Sequence, residues 1–356
     1  MVKVSAFHST MPSQSYINQV PTQAYSNYTK KQIEQEIRQN PHSFLNIITN
    51  KSTNNQREKF LEIRKKFNLF IERGILKKNP KKAIYIYQQA NQGQKYIGII
   101  CAVSIKDYAD KKIKIHEKTI AKREEIFCDY LSSTKMHAEP VLIAHDGDMS
   151  KFINSYTTIN NKLYDLKTKD NIKHTIWEIN KTTDIEEIIG FFKKISQLYI
   201  ADGHHRMASS SRYKQDSRCL AYIVSKNELS THPFHRLVSN IKHPLEILNT
   251  LKNRFEMTLI KKPILNSPHI QCYILEQWYS IKLEKPSKKV DLLKSIMVSK
   301  LTENILKPIL NIKDERKNRN VTFIPGHINI EAIVKNIHYS EILFFMNKID
   351  METIFS

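Results

Sequence analysis

The run Asp202-Gly203-His204-His205-Arg206 follows the apolar stretch Leu198-Tyr199-Ile200-Ala201 and precedes a helix-like stretch, Met207 to Tyr213. A glycine between a strand and a helix permits a sharp turn and lets an anion come close to the backbone. The first N–H groups of such a helix, at about Gly203 to His205, have no carbonyl one turn earlier and carry the positive end of the helix dipole. They form a ready phosphate site. Arg206 lies one residue into the helix and is placed to grip the same anion through two N–H groups. Asp202 is a candidate Mg²⁺ ligand or proton acceptor. The competing account is structural: an N-cap aspartate, a packing glycine and surface histidines.

A second constellation is His116-Glu117-Lys118-Thr119, followed by Lys122, Arg123 and Glu124. It is not a zinc-protease motif, because position 120 is Ile where a second metal-binding His is required. Phosphoryl transfer needs a positioning base, cationic neutralisation and usually Mg²⁺. Glu117 suits the base, kept ionised by its basic neighbours, with Glu124 and Asp202 as rivals. His116, Lys122 and Arg123 are candidates to steady phosphoryl oxygens. The structural alternative is a charged strand-to-helix connector. Two weaker sets, His232 with His235 and Arg236, and Asp314 with Arg316 and Arg319, read as a connector and a solvated loop.

These residues need a framework. The pattern predicts a helix over 30–39 stopped by Pro41, and another over 57–73 whose Phe60, Ile63, Phe67, Phe70 and Ile71 share a face, with Gly74 as C-cap. Strands over 83–87 and 96–103 flank Asn91-Gln92-Gly93-Gln94 and predict a hairpin. A helix over 122–131, strands at 140–144 and 174–179, and a helix over 185–195 capped by Thr183 or Asp184 follow. Beyond the turn come a strand at 219–224 and then helix, three strands, a helix over 291–305, a basic loop at 313–320, a strand and a helix. Strands and helices without regular βαβ alternation predict an α+β fold.

With 356 residues and 40% hydrophobic content, the chain has the profile of a folded protein of one large or two domains. The expected division is 1–240, carrying the turn, and a smaller α+β portion over 241–356. No signal-peptide-like or membrane-spanning stretch is present, so a soluble, cytoplasmic protein is expected. Cys101, Cys128, Cys219 and Cys272 are far apart, which excludes a zinc knuckle or a secreted disulfide framework. The net charge of +21 is spread as lysine pairs along the whole chain, so no specific nucleic-acid partner is expected.

The run Tyr199 to Arg206 resembles the signature of the domain-of-unknown-function 1015 family. Phe67 to Leu76, Ile115 to Thr119, Glu139-Pro140-Val141-Leu142, Phe234 to Val238 and Leu306 to Asp314 agree with it, in the family's order. The resemblance implies a mixed-sheet core like that of the ParB/sulfiredoxin superfamily, which includes kinases of free serine with a similar Asp-Gly-His-x-Arg signature. It thereby implies a nucleotide-dependent phosphotransferase acting on a small hydroxyl substrate, with L-serine the leading candidate, ATP or ADP as donor and Mg²⁺ as cofactor. The alternative from the same superfamily is a nucleotide-binding switch or NTPase acting through DNA or protein partners. Sulfiredoxin chemistry is excluded, since it needs a Cys where His204 and His205 stand. The chain departs from the family pattern at Ser9-Thr10 and Gln23-Ala24-Tyr25, and its C-terminal portion reads as shortened.

Overall fold

The computed structural model describes every residue except 50–54, 92, 117–118, 169, 214–216, 230–231, 284–296, 327 and 349–356. The chain divides into two compact units, Met1–Leu229 and Ser230–Ser356. The fold is a mixed α+β arrangement, with a large mixed sheet in the first unit and a separate smaller sheet in the second.

The first unit opens with the short strands β1 (Val4–Ser5) and β2 (Thr10–Pro12). Helix α1 (Lys30–Gln39) starts at a reciprocal cap, in which the Thr29 side chain accepts from the Gln32 N–H and the Gln32 side chain accepts from the Thr29 N–H. After the single turn α2 (Leu45–Ile48) comes α3 (Gln56–Glu72), whose Ile63, Phe67 and Phe70 recur on one face. They close a small core with Val20, Ile47 and Leu76, the last from β3 (Leu76–Lys78), which pairs with β2.

Strands β4 (Ile84–Asn91) and β5 (Gln94–Ser104) form the predicted hairpin, in register down to Asn91 opposite Gln94. The chain continues through α4 (Ile105–Ala109), β6 (Ile113–Lys114), α5 (Ala121–Thr134), β7 (Val141–His145) and α6 (Ser150–Ile159). It then passes through β8 (Tyr164–Lys167), β9 (Lys173–Ile179), α7 (Thr182–Lys194), β10 (Leu198–Asp202), α8 (His204–Arg212) and β11 (Arg218–Ser225). The sheet order is β6-β10-β7-β11-β5-β4-β9-β8, with β1 also on β5; the pairs β6–β10 and β7–β11 are parallel and the rest antiparallel. The core lies on this sheet, where Ile86, Ile99, Cys101, Ile143 and Ile223 meet Ile188 and Phe192 of α7. Helix α7 begins at Thr182 with Lys181 in the cap position, two residues before the expected Thr183 and three before Asp184, and no side chain caps it.

The second unit holds β12 (Phe234–Val238), α9 (Pro244–Arg254), β13 (Glu256–Ile260), β14 (Ile270–Ile274), β15 (Gln277–Lys282), α10 (Met297–Leu301), β16 (Val321–Pro325), α11 (Ile330–Val334) and β17 (Ile342–Phe345). Its strands form one antiparallel sheet, β13-β15-β14-β17-β12-β16, with apolar clusters built on Phe344 and on Phe345. The expected helix over 291–305 lies partly outside the described residues; from Met297 it is a short α-helix that widens into a π-turn over Thr302–Leu306. The four cysteines are unbonded, and burial pushes the Cys101 and Cys272 thiols up, the latter to about 12, so neither is a ready nucleophile. No described helix is long and apolar enough to cross a membrane.

Candidate functional site

Strand β10 breaks its register against β7 between Ile200 and Asp202, and Gly203 then turns with φ +94° before α8. The first backbone bond of α8 runs from the Met207 N–H to the Gly203 carbonyl at 3.0 Å. The N–H groups of residues 204 to 206 therefore precede the helical ladder, at the positive end of its dipole.

Arg206 is tied into this turn. Its Nη1 donates to the Pro140 carbonyl at 2.5 Å and lies 3.1 Å from Glu139, while Nη2 donates to Asp202 Oδ2 at 2.6 Å. Three acceptors thus fix the guanidinium, and its first task is to build the turn and hold the mouth of β7. Asp202 is correspondingly committed through one carboxylate oxygen. Glu139 and the Pro140 carbonyl had no assigned role in the sequence, since nothing local marks a partner 66 residues away from Arg206.

The two sequence constellations meet here. Because β6 runs parallel to β10, with Lys114 opposite Tyr199, the chain leaving β6 is carried to the start of α8. The His116 ring stands edge-on to His204 with centroids 4.4 Å apart, and the His116 N–H donates to His204 Nε2 at 3.5 Å. His204 is buried, whereas His205 is half-buried and its buried Nδ1 has no hydrogen-bond partner among the described residues. Glu117 and Lys118 lie outside the described residues.

Helix α5 packs against α8 and brings further charge. Glu124 accepts from the Thr119 hydroxyl and from Arg212 Nη1 at 3.0 Å. The Thr119 hydrogen bond, then Arg212, holds the Glu124 carboxyl below its ordinary range against the opposing effect of burial. Arg123 is exposed, carries no ion pair among the described residues, and lines a cavity of about 450 Å³ with Asp202, Gly203, His204, His205 and Arg206. Lys122 is exposed but does not line that cavity. The cavity shares Phe127, Glu139, Asp202 and Arg206 with a larger one of about 1010 Å³, whose apolar wall includes Phe60, Phe67 and Tyr130. The site is therefore a cleft, charged at the start of α8 and apolar beyond it.

Of the weaker sets, Arg236, His235 and Asp314 bond within their own unit. Arg236 makes a two-pronged pair with Glu315, Nε to Oε2 at 3.1 Å and Nη2 to Oε1 at 3.0 Å, with Arg236 buried and Glu315 partly so. His235 accepts the Met346 N–H at 3.1 Å and stacks on Phe345. Asp314 folds back to accept the Arg316 N–H at 3.0 Å.

Among the described residues no three His, Cys, Asp or Glu converge on a metal position. The donor set at the turn is Asp202 and Glu139. That suits Mg²⁺ held chiefly by phosphate oxygens with one or two carboxylates, rather than a protein-built metal cage.

No curated protein matches this sequence. Among solved structures, a conserved hypothetical protein from Pyrococcus furiosus is similar at 13% identity and TM-score 0.33, covering 72% of this chain and 82% of its own. SbnI with a C-terminal truncation, from Staphylococcus aureus, is similar at 10% identity and TM-score 0.35, covering 72% and 75%. A mutant free serine kinase in complex with ADP is similar at 14% identity and TM-score 0.36, covering 73% and 82%. The sequence itself matches the family described as "Protein of unknown function (DUF1015)" over residues 4–305, and the chain belongs to that family.

Proposed function

We propose that the chain is a nucleotide-dependent phosphotransferase that binds its donor phosphates at the start of α8 and acts on a small hydroxyl substrate. The observation that carries this reading is Arg123, a guanidinium without an ion pair among the described residues that shares a cavity with Gly203 and the first residues of α8. Backbone N–H groups at a helix start and a guanidinium are the two groups that bind a phosphate best. The apolar wall of the adjoining cavity suits a nucleotide base. These parts belong to the region assigned from sequence as the nucleotide-binding domain, residues 1–240.

Roles follow from the geometry. Gly203 gives the close approach, Arg206 holds the turn open through Pro140 and Glu139, and Arg123 offsets phosphate charge. Bound Mg²⁺ would supply further neutralisation of the phosphates, with Asp202 as its protein ligand. Glu124 already accepts from the Thr119 hydroxyl and from Arg212, which leaves it less free to take a substrate proton. We assign the base to Glu117, next to the His116 that contacts His204. ATP or ADP is the proposed donor and L-serine the first acceptor to try.

The test is calorimetry with ATP, ADP, CTP and GTP in the presence of Mg²⁺. One nucleotide should bind, and Arg123→Gln should weaken it by about tenfold or more, the loss of one charge-assisted contact. Unchanged affinity in Arg123→Gln would sink the phosphate-site reading. Mass spectrometry of serine after incubation with the bound nucleotide then tests the acceptor.

A further inference from the structure

We propose that the cavity of about 580 Å³ framed by β2, β5 and the end of α5 is a second binding site, for a small molecule bearing two or more negative charges. Arg64, Lys78, Lys82, Lys135 and Arg218 line it, together with His8 and His137. No Asp or Glu among the described residues does so. Other cations of the chain have carboxylate partners, among them Lys112 with Asp107, Lys162 with Asp165, Lys226 with Asp146 and Arg236 with Glu315. Lys78 and Lys82 have no such partner among the described residues.

The cations are held around a preformed floor. Arg64 donates to the Thr134 carbonyl at 2.9 Å and lies over the Phe67 ring; Lys135 donates to the Tyr213 hydroxyl at 2.9 Å. The floor carries the buried hydroxyls of Ser9 and Tyr85, 2.7 Å apart, beside Ile100 and Ala102 of β5. Glu178 does not line the cavity, and its carboxylate is taken by the Asn79 amide. Cations gathered around one concavity with apolar walls, Arg64, Lys78 and Lys82 among them, repel each other and focus a positive potential into it. A ligand with several anionic oxygens removes that repulsion. The ammonium of a zwitterion would meet no carboxylate here, so the occupant is a net anion, a phosphate ester or a polycarboxylate. The site contains none of the residues 202–206 of the phosphate turn, but Pro140, whose carbonyl Arg206 holds, lines its edge. It also shares Thr10, Phe44, Phe67, His137 and Ala138 with the cavity of about 1010 Å³ beside the turn.

The experiment is calorimetry on the full chain at constant ionic strength with inorganic pyrophosphate, citrate and acetate. Pyrophosphate or citrate should bind in one-to-one ratio and at least about tenfold more tightly than acetate. Preference for pyrophosphate assigns the site to phosphate esters, and preference for citrate to polycarboxylates. Lys78→Gln with Lys82→Gln should weaken that binding about tenfold or more, while Lys261→Gln with Lys262→Gln, exposed in the second unit, should leave it unchanged. The proposal is overturned if neither anion outbinds acetate, if both lysine pairs behave alike, or if the loss follows Arg123→Gln instead, which would put the anion at the turn.

Discussion

Arg206 reaches back one helical turn to Asp202, Nη2 to Oδ2 at 2.6 Å, and lays its guanidinium across Gly203. A Cβ on residue 203 would sit 3.1 Å from Arg206 Cζ and Nε, on a backbone whose φ of +94° already disfavours any side chain. Gly203→Ala should therefore lower stability by about 1–2 kcal/mol and displace the guanidinium from Pro140. The same variant should lose nucleotide affinity. Urea titration and calorimetry check the two effects. Wild-type affinity in this variant would mean that the turn does not hold the phosphate.

The base assignment separates Glu117 from Glu124. Glu117→Gln should keep nucleotide binding and lower phosphoryl transfer by about a hundredfold or more, since the amide cannot accept the hydroxyl proton. Glu124→Gln should instead weaken the tie to Arg212 and Thr119, costing about 1 kcal/mol of stability, and retain transfer. Turnover followed by mass spectrometry decides between them, and the reverse pattern moves the base to Glu124.

Acid should weaken both units before the carboxylates titrate. Burial holds His145 in the first unit and His235 in the second down at about 4, against an ordinary 6.5. Between those values the unfolded chain takes up a proton that the folded chain refuses. The stability they confer is thus complete above about pH 6.5 and is lost as pH falls toward 4, by about 3 kcal/mol for each histidine. The chain's two tryptophans, Trp177 in β9 and Trp278 in β15, report the units separately once the other is changed to Phe. Urea midpoints at pH 7, 6 and 5 should fall in both. His145→Asn, whose amide oxygen replaces Nδ1 as acceptor for the Gly147 N–H, should flatten the fall in the first unit only.

Local periodicity was enough to find the β4–β5 hairpin, the apolar face of α3 and the strand–glycine–helix turn, because each is set by neighbours along the chain. The meeting of His116 with His204 was not legible. It depends on the parallel pairing of β6 with β10, and no spacing rule reports a partner 88 residues away. Arg206 is the opposite case: its type and place suggested an anion clamp, but of the three acceptors around it only Asp202 is local, and Glu139 and Pro140 come from a distant strand entrance. The sequence offered Lys122 and Arg123 together as candidates to steady phosphoryl oxygens, and only the packing of α5 on α8 distinguishes the two.

The strand order also dictates when the first unit can close during synthesis. Ala221 of β11 lies between Val141 of β7 on one side and Cys101 of β5 on the other. The strand in the middle of the large sheet is the last of its nine described strands to leave the ribosome. Until then β6-β10-β7 and β5-β4-β9-β8 are two half-sheets, each with an open edge of unpaired backbone groups at β7 and β5. Such non-local closure is slow and leaves strand edges exposed to neighbouring chains. Nascent chains halted before Arg218 should accordingly aggregate or recruit chaperones, and those extended past Ser225 should be protease-resistant over the first unit.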